Sequence, residues 1–160
     1  MRTKIRIAIS WLLVIATMAI IFRFSSQNSS DSTDTSEGVI ENILGTIIGE
    51  EAIRPSVVQK MQLPIRKIAH FGIFMLLGFC LANAFKLSIN KRELLSYLLA
   101  GVTSILYAIS DELHQAFTYG RYALATDVVI DSTGAIIGIA LLFCLDRFVK
   151  FLNKRKARTS

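Results

Sequence analysis

The chain alternates between long apolar runs and short polar blocks, on the length scale of a lipid bilayer. Four runs approach the roughly 20 residues that a helix needs to cross the hydrocarbon core. They are about 7–24 (IAISWLLVIATMAIIFRF), 65–85 (IRKIAHFGIFMLLGFCLANAF), 94–110 (LLSYLLAGVTSILYAIS) and 127–145 (DVVIDSTGAIIGIALLFCL). None alternates as a barrel strand would, so the pattern predicts helices, which satisfy their own backbone in lipid. The segment 25–64 opens polar, with SSQNSSDSTDTSEG. After it, Val39, Ile40, Ile43, Leu44, Ile47 and Ile48 recur at helical spacing, and Ser36 suits the cap position. This predicts an amphipathic helix on the membrane surface or against the bundle. Pro55 and Pro64 punctuate the return to the second span. The expected fold is all-α: one integral membrane four-helix bundle over 1–160, with an extracytoplasmic amphipathic helix between spans one and two.

Charge gives this bundle an expected orientation, because Lys and Arg favour the cytoplasmic side. Arg2, Lys4 and Arg6 precede span one, and Lys86, Lys91 and Arg92 fill the loop after span two. Arg147, Lys150, Lys154, Arg155, Lys156 and Arg158 follow span four. If all four segments cross, these groups share one side, and the other side receives ten of the twelve acids. Both termini are therefore expected in the cytoplasm, with a multi-pass chain in the plasma membrane and a basic tail at 146–160. Phe22, Arg23 and Phe24 offer no small-residue site for signal cleavage, so span one is read as retained.

Composition agrees: 52% of residues are hydrophobic and 19% charged. A soluble domain of this size interleaves its charges along amphipathic elements, whereas here they are segregated. The net charge of +6 comes from the membrane flanks, so nucleic acid is not an expected partner; the lipid bilayer is. Cys80 and Cys144 both fall in apolar runs, which argues against a disulfide or a Cys metal motif.

The expected topology brings four distant regions to one face. Ser25, Ser26 and Gln27 follow span one, Lys67 and His70 open span two, and Asp111, Glu112, His114 and Gln115 close span three. Arg121 follows Gly120 in a predicted tight turn, and Asp127 and Asp131 begin span four. Asp111 and His114 share a helix face, as do Glu112 and Gln115, and Asp127 and Asp131. Charges near lipid are costly and tend to pair or line a cavity, so a shared polar pocket is expected. Gly134 and Gly138 form a GxxxG step that admits a close neighbouring helix. His70, Asp111, His114 and Asp131 are of types that ligate divalent ions or serve as general acids and bases. Lys67 and Arg121 suit a phosphate or carboxylate. No HExxH, GxSxG or Gly-rich phosphate loop is present, so spacing assigns neither a reaction nor a metal or other cofactor.

Three stretches resemble the VanZ-like family of small bacterial membrane proteins: FSSQ at 24–27, RKIAHFGIFMLLGF at 66–79, and SDELHQAFTYGR at 110–121 with DVVIDSTGAIIG at 127–138. The resemblance covers most of the chain. It implies a multi-span helical protein whose polar positions are Lys67, His70, Asp111, Glu112, His114, Gln115, Arg121, Asp127 and Asp131. The family is named for a protein associated with teicoplanin resistance, which implies a role at the outer surface of the envelope.

Two functions of different class follow as expectations. In the first, the pocket binds an amphiphile, a lipid headgroup or a lipoglycopeptide, and lowers drug access. In the second, the chain is a membrane hydrolase or transferase acting on an envelope lipid or acylated substrate, with His and Asp in acid–base or metal-assisted chemistry. A purely structural ion-pair network is the third possibility. A lack of ionisable residues at mid-membrane argues against a transporter.

Overall fold

In a computed structural model, residues 2–26, 38, 46, 55–89, 92–118 and 123–159 are described. They form four long helices and, among the described residues, no strand: α1 (Arg2–Ser25), α2 (Pro55–Ile89), α3 (Glu93–Ala116) and α4 (Ala125–Thr159). Each contains a segment long and apolar enough to cross a membrane. The four expected spans are therefore present, on helices longer than the apolar runs alone. Pro55 starts α2, where a missing amide proton costs nothing. Pro64 lies inside α2 instead of delimiting it. It deprives the Lys60 carbonyl of its helical donor without ending the helix. The basic tail continues α4. The predicted amphipathic helix falls almost entirely outside the described residues.

The inward faces of α1 and α3 are rich in small and polar side chains. Along α1 the buried positions are Ser10, Val14, Thr17, Ile21 and Ser25. Along α3 they are Ser96, Ala100, Ser104 and Ala108, continued by Asp111, Glu112 and Gln115. Large side chains such as Leu12, Ile15, Leu98, Val102, Leu106 and Val129 point outward. In lipid this arrangement is the favourable one, because apolar bulk gains nothing by leaving the acyl chains while small residues let backbones approach. Three inward hydroxyls are satisfied within their own helices: Ser10 donates to the Ile7 carbonyl, Thr17 to Leu13 and Ser96 to Arg92.

The helix pair α2–α4 makes the most extensive interface, and glycine makes it possible. A Cβ on Gly134 would overlap the Phe71 backbone, one on Gly138 the Met75 backbone, and one on Gly78 the Ala135 backbone. The expected GxxxG step thus sits in a seam where only glycine fits. Around it, Phe74, Leu77 and Leu81 of α2 are fully buried. α2 also contacts α1 and α3, and is the hub of the bundle.

Cross-helix bonds fix the helix directions. Lys67 pairs with Asp127 and Lys86 with Asp146, so α2 and α4 run parallel, in step over the same interval (67 to 86, 127 to 146). Trp11 donates to Ser88 at 3.1 Å, and Tyr107 to the Met18 carbonyl at 2.7 Å. α1 therefore opposes α2 and runs with α3. Nineteen helical residues span about 28 Å, close to the roughly 30 Å of hydrocarbon in a bilayer. The two lysine–aspartate pairs stand one membrane thickness apart.

Candidate functional site

At one end of the bundle all four helices contribute polar side chains. α3 supplies Asp111, Glu112 and Gln115, which are 4%, 5% and 3% exposed. They continue the small-residue stripe of α3, so the surface that packs helices lower down presents carboxylates here. Gln115 donates from Nε2 to Asp111 Oδ2 at 2.8 Å, the i to i+4 contact of one helical face. Glu112 accepts the Leu124 backbone N–H at 2.6 Å and so ties the start of α4 to the end of α3.

α4 supplies Asp127 and Asp131, one turn apart. Asp127 pairs with Lys67 at 2.6 Å near the rim. Asp131 is 2% exposed, and its ion-pair partner among the described residues is His70, with Nδ1 3.6 Å from Oδ2. His70 and Asp131 lie three and four residues inward of the rim pair, about 5–6 Å deeper. One donor atom each of His70, Asp111 and Asp131 lies within 4.8 Å of the others. α1 supplies Ser25, fully buried with its hydroxyl beside the Asp111 carboxyl, at a geometry short of a hydrogen bond. Arg66, Lys67, His70, Glu112, Gln115, Asp127, Ile130 and Asp131 line a small, partly open cleft over this cluster.

Most of the predicted site residues thus converge, with one separation. His114 does not join the Asp111–Asp131 cluster. Its ring stacks on Phe22 with centroids 4.7 Å apart, and its Nε2 lies 3.1 Å from the Ser26 hydroxyl. His114 and Ser26 together tie α3 to the end of α1. Gln27 and Arg121 lie outside the described residues. Of the neighbouring serines that follow span one, Ser25 enters the cluster and Ser26 does not; the four-residue step from Ile21 along the inward stripe of α1 marks Ser25. One contributor was missed by sequence reasoning. Arg66 lines the cleft beside Lys67, and nothing in the RK dipeptide distinguished its role.

The arrangement offers a cation pair at the rim, the buried Glu112 carboxylate tied to the start of α4, and a deeper cluster of His70, Asp111 and Asp131. It can hold a polar headgroup against Arg66 and Lys67, and it can bind a cation or activate a water below. The opposite end of the bundle is different in kind. There Asp146 is shared by Lys86 and the Tyr97 hydroxyl, and Glu93 by Lys150 and Arg147. Cys80 and Cys144 are free thiols, as their positions in apolar runs predicted.

Neither characterised proteins nor solved structures give a significant match to the chain. A family model does: VanZ/LLP1 matches residues 10–146, from the first inward serine of α1 to the Asp146 clasp. With four helices apolar enough for lipid and this match over most of its length, the chain is a multi-pass membrane protein of the VanZ/LLP1 family.

Proposed function

We propose that the protein works in the bacterial plasma membrane, where its polar cleft faces outward and binds the polar end of an amphiphile. The convergence of three separate chain regions, on α2, α3 and α4, on one cleft carries this reading. A structural clasp needs two partners, and the opposite end of the bundle is built that way. Among the described residues, the cleft instead gathers three buried acids, Asp111, Glu112 and Asp131, of which Asp131 has an ion-pair partner, His70. Its orientation rests on the basic blocks at Arg2–Arg6, Lys86–Arg92 and Arg147–Arg158, which favour the cytoplasm for the other end and for both termini. The cleft is small, so it suits a headgroup-sized moiety and not a whole lipoglycopeptide. Retention of that moiety at the surface would reduce access of a teicoplanin-type drug.

A second reading is an integral membrane hydrolase or transferase acting on an envelope lipid or acylated substrate. The juxtaposition of His70 with Asp111 and Asp131 favours it, because that set can activate water.

The test is teicoplanin susceptibility of a sensitive Gram-positive host expressing wild type, His70→Ala or Asp111→Asn, with membrane levels measured. Wild type is expected to protect, and the variants to lose protection at unchanged abundance. No protection by wild type would sink the resistance role. Loss of the variants from the membrane would favour a purely structural cluster. Mass analysis of the recovered drug and envelope lipids separates binder from enzyme, because only an enzyme changes a mass.

A further inference from the structure

The geometry points to a divalent-cation site made by His70 of α2, Asp111 of α3 and Asp131 of α4, with the Ser25 hydroxyl of α1 beside it. It deepens the cleft reading above and rests on it for its place at the floor of a ligand pocket.

Three observations carry it. The first is donor geometry. Ligands bound at about 2.0–2.2 Å stand roughly 3.3 Å apart around a tetrahedral ion. The His70 and Asp131 atoms are already 3.6 Å apart, and the whole set lies within 4.8 Å. Closure needs side-chain shifts of about 1.5 Å at most. One imidazole and two carboxylates suit a first-row divalent ion such as Zn2+ or Mn2+.

The second is charge. Asp111 and Asp131 are buried about one turn below the rim, where the hydrocarbon margin makes charge costly. Lys67 is engaged by Asp127 and does not neutralise them. A divalent ion with two carboxylates and a neutral imidazole makes a centre of zero net charge.

The third is the surrounding shell. Gln115 holds one Asp111 oxygen by a 2.8 Å hydrogen bond from the next helical turn, the kind of support that orients a ligating carboxylate. Ser25 is fully buried, and its Oγ lies beside the Asp111 carboxyl, where among the described residues it stops short of hydrogen-bond geometry. It is a further oxygen available to an ion or to an ion-bound water. His114, held by Ser26 and Phe22, is excluded from the set.

The experiment uses the full chain purified in detergent, stripped with chelator, and titrated separately with Zn2+, Mn2+ and Co2+, with no amphiphile present. Wild type is expected to retain about one ion per chain through desalting, and Co2+ to produce ligand-field absorption. Asp131→Asn and Asp111→Asn should weaken binding by about 100-fold or more, and Gln115→Leu by about 10-fold. His114→Ala should bind as wild type does. Wild type that retains none of the three ions overturns the proposal, whatever the variants do. So does Asp131→Asn that binds as tightly as wild type. Metal loading is read without drug or lipid. A failure here therefore leaves a drug-protection result standing, and a fully loaded protein that gives no protection defeats only the resistance role.

Discussion

The two ends of this bundle treat their acids in opposite ways. At the clasp end, Asp146 and Glu93 are partly exposed, and each is shared between two donors: Lys86 and Tyr97 for one, Lys150 and Arg147 for the other. At the cleft end, Asp111, Glu112 and Asp131 are buried, Lys67 is engaged by Asp127, and among the described residues the ion-pair partner of Asp131 is His70. A saturated, solvated ion pair adds little beyond holding two helices in register, typically 0–1 kcal/mol. A buried carboxylate with an incomplete partner set costs stability, and its retention is better explained by what it binds than by what it holds together.

The strongest challenge to that contrast removes the frame common to both ends. Gly138→Val places side-chain atoms on the Met75 and Phe79 backbone. It is expected to cost about 3 kcal/mol or more, seen as a collapse in yield and the loss of a cooperative melt in detergent. Gly72→Ala meets open space and should behave as wild type. A well-folded Gly138→Val would mean that the seam does not set the positions of the two ends.

A crossed pair of substitutions sharpens the comparison. Asp131→Asn in metal-free protein should leave thermal stability unchanged or slightly raised while abolishing cleft function. Asp146→Asn should lower stability by about 1 kcal/mol and leave cleft function intact. If the two variants behaved alike in both measurements, the distinction between the ends would be gone. The smallest effect is expected from Tyr97→Phe, which removes one hydroxyl from Asp146 but leaves Lys86 in place. A loss of about 0.5–1 kcal/mol, measured by denaturation, would fit a clasp with redundant donors.

The four helices were legible because the bilayer imposes a length, and the apolar runs match it. The seam was half legible. Gly134 and Gly138 announce it by their spacing, but Gly78 on the partner helix has no such signature and is recognised only once α2 and α4 are seen to run side by side. The membership of the cleft could be read from topology, because alternating spans deliver their ends to the same face. Which side chains turn inward is a matter of about 100° per residue, and there sequence reasoning was weaker. Ser25 and Ser26 are neighbours, yet one enters the floor of the cleft and the other meets His114 on its flank. His114 carries the right chemistry for the cluster but is drawn aside by the face of Phe22, a partner more than one span away in the chain.

The parallel seam also bears on the order in which the protein is made. α2 and α4 are the most extensive pair, yet α3 lies between them in the chain. During synthesis from the N-terminus, the glycine-bearing face of α2 has no mate until α4 leaves the ribosome. His70 must likewise wait for Asp131, its partner across that seam. The nascent chain can tie α1 to α2 and α3 early, through Trp11–Ser88 and Tyr107–Met18, but the cleft comes into being only once α4 has been made. A chain truncated before α4 is therefore expected to lack it.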